Sequence, residues 1–330
     1  MNSFNEEIKK IAKTAIINIL SNELVLKRKL DFIKKYNALT ILNLHRVAEF
    51  DSSSYPPLSP HLFEELLIFI KKNFDIISFE SLRHNATKNQ RPKLILSFDD
   101  GYKDFIDIAV PILEKHKITV NQNIIPYCIE KQLPPLNVIA QDFIGKAPES
   151  LLLKLDIPDF NLSYHQINNR LKFGFLVSKF LKNRPMQQQN KLSEYLMPQF
   201  YNFKEFKITE MMSIYDIQEL IDTHEIGVHS FYHASMAYET KEYFEKDLIS
   251  CNEYFIKKLN RPAEIYAFPN GEFTKEQREI IEQSNYQTIL LVENKFNTNT
   301  HTKTYSRFGF HANNIAEVYF NSLGGMKWKV

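Results

Sequence analysis

The apolar run Leu94-Ile95-Leu96-Ser97-Phe98 ends abruptly in Asp99, Asp100 and Gly101. A run this short and rich in Leu and Ile predicts a buried strand, so both carboxylates lie where the chain leaves the core beside a flexible turn. There one acid can hold a metal ion while the other moves a proton. A second cluster, Gly227-Val228-His229-Ser230-Phe231-Tyr232-His233, also follows a short apolar segment. Imidazoles four residues apart face the same way on a helical turn, and with one carboxylate they supply three ligands to a divalent cation. A coordination position stays open for water, which is the arrangement of a hydrolase. Taken singly, Asp-Asp-Gly is also an ordinary turn and His-x-x-x-His an ordinary helix face. Together they predict a site.

The elements around these residues have a βαβ rhythm. Leu39 to Val47 is an apolar run that contains His45 and Arg46, and Ser59-Pro60 opens an amphipathic helix from Phe63 to Phe74. A short Ile76 to Phe79 piece precedes the Asp99 strand, which is followed by a helix over Phe105 to His116 and a strand within Thr119 to Pro126. From about residue 131 to residue 210 the rhythm lapses into a polar, helical stretch, expected to be an inserted subdomain over or beside a groove. Beyond it come a helix at Asp216 to Thr223, strands at Ile226 to Val228, Ile265 to Phe268 and Thr288 to Val292, and a helix capped by Thr240 with the stripe Phe244, Leu248, Cys251 and Phe255.

The motifs Ser97-Phe98-Asp99-Asp100-Gly101, His229-Ser230-x-x-His233 and Ala267-Phe268-Pro269-Asn270-Gly271 resemble those of the polysaccharide deacetylases of carbohydrate esterase family 4, which share the NodB homology domain. The resemblance implies that Asp99 is the general base and that Asp100, His229 and His233 bind the metal. It further implies that Ser230 braces the histidine loop and Pro269 lines the groove, while Asn270 offers its backbone N–H to the oxyanion. No C-terminal Leu-x-His matches the family's proton donor. Instead, His45 at the end of the N-terminal apolar run resembles the circularly permuted branch that includes poly-N-acetylglucosamine deacetylases, and it becomes the candidate acid. The family's arginine before the third-motif proline is missing, so the cation that orients Asp99 is expected to be Arg307 or Arg46.

The implied fold is a distorted (β/α) barrel of about seven strands with its site on the C-terminal rim. An N-terminal helical segment at 1–35 precedes a deacetylase domain at 36–330 that the insertion interrupts. The implied activity is a metal-dependent hydrolase of amide bonds that removes acetyl groups from N-acetylated amino sugars of a glycan or glycolipid. The alternatives are a deacylase of a lipid-linked or small N-acyl sugar and a non-catalytic glycan-binding relative. Two imidazoles and a carboxylate suit Zn best, with Fe, Co and Ni also able to bind.

Composition agrees with a globular enzyme. The chain has 330 residues, 44% of them hydrophobic, enough for a large core. A formal charge of +2 with dispersed basic residues argues against a nucleic-acid partner. Cys128 and Cys251 are expected to be free thiols in a reducing compartment. No run approaches the length of a transmembrane helix, and the N-terminal segment lacks the pattern of a signal peptide, which predicts a cytoplasmic protein. Phe4, Ile8, Ile11, Ala15 and Ile19 form a helical stripe expected to dock on the body. The alternative for that stripe is peripheral membrane contact through Lys9, Lys10 and Lys13.

Overall fold

The computed structural model describes residues 16–84 and 91–328; the stripe from Phe4 to Ala15 lies outside them. The strands are β1 (Thr40–Leu44), β2 (Asp75–Ile76), β3 (Lys93–Phe98), β4 (Asn121–Ile124), β5 (Glu225–Val228), β6 (Ile265–Ala267), β7 (Thr288–Leu291), β8 (Thr304–Ser306) and β9 (Phe308–Gly309). They form one sheet in the order β8-β7-β6-β5-β4-β3-β1-β9, with β2 paired to β3 off this path. Every pairing is parallel. Strands β8 and β9 are consecutive pieces of the segment 304–309, so the two ends of the sheet meet in one stretch of chain. Arg307 N–H donates to Leu291 O at 2.9 Å on one side, and Phe310 N–H donates to Asn43 O at 2.8 Å on the other. The sheet is therefore a nearly closed, distorted (β/α) barrel, with 304–309 as its seam.

Alternation along each strand separates two cores. Leu42, Leu44, Leu94, Leu96, Phe98, Val228, Tyr266, Phe268, Ile289 and Leu291 point outward into the layer of helices. Ile41, Ile95, Ile265, Ala267, Leu290 and Tyr305 point inward and fill the lower barrel. Above this apolar plug the inward positions become polar: Asn43, Ser97, Asn121, Asn123 and Arg307 are all buried. Thus β4 holds as a strand despite its Asn-Gln-Asn sequence, because its inward amides have partners. Asn123 Nδ2 donates to Asn121 Oδ1 at 2.9 Å, and Ser97 Oγ donates to Asn121 Oδ1 at 2.7 Å.

Helices between the strands follow the sequence signals closely. Ser59 accepts from Leu62 N to cap Pro60–Asn73, and Thr240 accepts from Tyr243 N to cap Lys241–Leu259. The expected helix after Asp100 begins as a π-turn at Phe105–Ala109 before Val110–His116 becomes α-helical. Both cysteines are free and buried. Between β4 and β5 lie the helices Leu136–Lys146, Arg170–Lys182 and Met186–Tyr201 with shorter ones, around a separate apolar cluster that includes Phe143, Phe173, Leu181, Leu196 and Phe200. No helix among the described residues is long and apolar enough to cross a membrane.

Gly227 shows how tightly the polar layer is packed. A Cβ there would meet Asn123 Oδ1 at 2.1 Å and Ile265 Cβ at 2.9 Å. Gly227→Ala is expected to lower the free energy of unfolding by about 1–3 kcal/mol, the usual cost of overpacking. Urea denaturation measures this, and an unchanged midpoint would show that the interior yields more readily than described.

Candidate active site

Register places the chemistry-bearing residues on one rim. Leu44 pairs with Phe98 and Ile124 with Val228, so the next residues, His45, Asp99 and His229, leave the barrel at the same level. Asp99 N–H donates to Leu44 O at 3.0 Å and His229 N–H to Ile124 O at 2.8 Å, carrying the ladder one step past the strands.

Asp99 points into the polar layer and is 1% exposed. Arg307, fully buried, grips it with both amino groups: Nη1 to Oδ1 and Nη2 to Oδ2, each at 2.8 Å. Asn123 Nδ2 adds a third donor at 2.8 Å, while Arg307 Nη1 also reaches Asn43 Oδ1 and Ser97 Oγ at 2.9 Å. Burial alone would raise the Asp99 pKa, but the Arg307 guanidinium with its hydrogen bonds and nearby His229 hold it well below the usual carboxylate range. Arg46, the other expected orienting cation, is engaged elsewhere. Its Nε meets Asp104 at 2.8 Å and its Nη2 meets Asp51 at 3.1 Å, so it ties the β1 exit loop to the chain after Gly101. The choice turns on the seam, which carries Arg307 inward from the closing strand.

Asp100, His229 and His233 form the only three-residue cluster of ligand-type side chains among the described residues, with their ligand atoms within 4.8 Å of one another. Asp100 Oδ1 lies 3.5 Å from His229 Nε2 and 3.4 Å from His233 Nε2. This oxygen is buried and has no hydrogen-bond partner among the described residues. His229 Nδ1 is 2.9 Å from Ala267 O, a contact that puts the proton on Nδ1 and leaves Nε2 with a lone pair. Burial lowers the pKa of His229 to about 4 and that of His233 to about 3, the latter with help from the charge of Lys182. Two neutral imidazoles facing an orphaned carboxylate oxygen are a donor set that fits a divalent cation.

The histidines do not share a helical turn. Residues 229–235 are a loop, and Ser230 and His233 have φ of 58° and 61°. Left-handed steps at both ends curl the loop so that the rings converge with centroids 5.1 Å apart. Ser230 Oγ accepts from Ala234 N–H at 3.2 Å and donates to Asp247 Oδ1 at 2.9 Å. Asp247, from the helix Lys241–Leu259, also accepts from Phe231 N–H at 2.8 Å and Tyr266 OH at 3.0 Å. Burial pushes its pKa up to about 6 against those hydrogen bonds. Sequence reasoning missed Asp247, although a signal existed. It sits three residues after Phe244 and four before Cys251, on the helix's apolar stripe, where an unpaired carboxylate has no place.

His45 is partly exposed and packs edge-on to Tyr55 with ring centroids 6.2 Å apart. It lines a cavity of about 410 Å³ with Arg46, Tyr55, Phe175 and His311. It follows β1 at the level where Asp99 follows β3, on the same rim. Pro269 is buried where β6 ends, and Asn270 follows with φ 57° and its side chain donating to Ser235 Oγ at 2.8 Å.

Residues 201–289 match the family model described as polysaccharide deacetylase. That span contains His229, Ser230, His233, Asp247, Pro269 and Asn270. No curated protein matches the chain. Among solved structures, the deacetylase PplD of Streptococcus pyogenes, in complex with acetate, is 14% identical with a TM-score of 0.56, covering 87% of this chain and 98% of its own. IcaB of Ammonifex degensii is also 14% identical, with a TM-score of 0.54 over 87% of this chain and 97% of its own. A de-N-acetylase of Aggregatibacter actinomycetemcomitans is 14% identical with a TM-score of 0.52, over 82% and 94% respectively. Likeness at this identity is one of fold. Residues 201–289 thus match the polysaccharide deacetylase family model, on a chain whose overall fold is similar to that of these solved deacetylases.

Proposed function

We propose that the chain is a metal-dependent N-deacetylase that removes acetyl groups from N-acetylated amino sugars of a glycan and releases acetate. One observation carries the reading: an orphaned buried carboxylate oxygen faces two neutral imidazoles beside a second carboxylate kept ionised by an arginine. A divalent cation held by Asp100, His229 and His233, with Zn the first choice, would supply Lewis acidity for water and for the acetamide carbonyl. Asp99 takes the proton of the attacking water, and its clamp by Arg307 and Asn123 fixes both its charge and its direction. The Asn270 N–H, turned by its left-handed backbone after Pro269, donates to the carbonyl oxygen as negative charge builds there. His45 then protonates the departing nitrogen, since an amine anion is too basic to leave.

Acetate release from N-acetylglucosamine oligomers by the metal-loaded chain tests the reading. Asp99→Asn is expected to lower kcat by about 100-fold or more while metal content stays at the wild-type level. Turnover insensitive to that change would remove Asp99 from the reaction. For His45→Gln, an amide should lose about 100-fold in kcat, whereas a nitrophenyl acetate, whose leaving group needs no proton, should lose far less. Equal losses on both would rule out His45 as the acid. Asp247→Ala should weaken metal binding by about 10- to 100-fold, the usual effect of removing a group that orients ligands. Chelator competition reads this out, and wild-type affinity would mean that the histidine loop keeps its shape without the brace.

A further inference from the structure

The helices between β4 and β5 are clamped to the barrel rim. Ser54 donates through both N–H and Oγ to Gln141 O, at 3.1 and 2.8 Å. Lys146 lies 3.7 Å from Asp51, and Met186 N–H donates to Glu239 at 2.5 Å. Gly174 sits so close to the loop after β1 that a Cβ there would lie 2.0 Å from Ser54 Oγ. The helix Arg170–Lys182 is therefore fixed across the mouth of the site.

Phe175, Ser178, Lys179 and Lys182 fall three, four and seven residues apart and share one face of this helix. Phe175 lines the His45 cavity and also a neighbouring one of about 220 Å³. The second cavity is bounded by Ser178, Lys179, Lys182, Asn183, Asn270 and Glu272. Two lysines against one carboxylate leave it with an excess of positive charge, beside the residue assigned to the oxyanion. Neither ammonium has an ion-pair partner among the described residues. Lys182 is half-buried and near enough to the ligand cluster to feel the charge of Asp100 and to act on His233. Burying an ammonium without a counter-ion is unfavourable, and burial indeed lowers the Lys182 pKa. The cavity is smaller than the roughly 300–1,000 Å³ of an ordinary small-molecule pocket, which suits a single charged substituent.

We propose that the helix Arg170–Lys182 selects the substrate, with Lys182 and Lys179 receiving an acidic group, phosphate or carboxylate, carried by the amino sugar. The inference rests on the deacetylase reading of the same site and adds the substrate's charge. An uncharged oligomer would leave both lysines without a counter-ion. A sugar bearing an acid would place it on the Asn270 side of the cleft, away from His45.

Calorimetry of the full chain with glucosamine, glucosamine 1-phosphate and muramic acid tests this without turnover, since none of them carries an acetamide. At least one acidic sugar is expected to bind about tenfold tighter than glucosamine, the worth of one charge-assisted hydrogen bond. Whichever wins identifies the acid as phosphate or carboxylate. Lys182→Gln combined with Lys179→Gln should abolish the preference, Lys182→Arg should keep most of it, and added salt should weaken it in the wild type. Equal binding of all three sugars, or a preference that survives the double substitution, overturns the inference. A preference for acid-bearing sugars without acetate release from any N-acetylated form would overturn the deacetylase reading instead.

Discussion

The buried pair of Asp99 and Arg307 is the interaction around which the upper barrel is organised. Either charge left without its partner in that interior would be costly, because removing one member of a buried pair typically costs about 3–5 kcal/mol. The polar layer follows from this need. Asn43, Ser97 and Asn123 each bond to one partner or the other, and Asn121 holds Ser97 and Asn123 in turn. Gly227 makes room for the Asn123 amide. The barrel thus changes along its axis from an aliphatic plug to a hydrogen-bonded layer, and the proposed base projects from the top of that layer.

Different elements contribute direction and selection. Strand ends fix where His45, Asp99 and His229 emerge, and the Asp247 cluster fixes how the chain turns afterwards. The Asp247 carboxylate joins three elements, the histidine loop through Ser230 and Phe231, β6 through Tyr266 and its own helix. The helices between β4 and β5 have their own apolar cluster, separate from those of the barrel. Their contact with the rim is polar and close-packed, and this holds Phe175 and Lys182 at the cleft.

Much of the site was legible in sequence because each cluster of chemical residues follows an apolar strand, and parallel strands deliver their C-terminal ends to one side. What the residues could not reveal is how the barrel closes. Arg46 follows an apolar run and Arg307 the mixed segment Thr304-Tyr305-Ser306, and only the seam's register turns Arg307 inward while Asp51 and Asp104 draw Arg46 away. Spacing of the two histidines suggested a helix face, whereas tertiary contacts to Asp247 impose a loop. Asn121 and Asn123 likewise look like weak strand formers until their partners across the interior are seen. Local propensity failed where a side chain's partner lay on a distant strand.

Asp100, Ser230, His233 and Asn270 all have φ between 57° and 79°, conformations that non-glycine residues adopt at a cost of about 1–3 kcal/mol each. For Ser230 and Asn270, side-chain bonds to Asp247 and Ser235 help to hold these angles. On the proposed reading, the loop that carries the ligands is braced by the protein's own side chains, unlike small zinc domains that fold only around their metal. If Asp100, His229 and His233 hold a cation as proposed, its loss would then leave a folded, reloadable protein, and the identity of the bound metal would follow the supply in its surroundings.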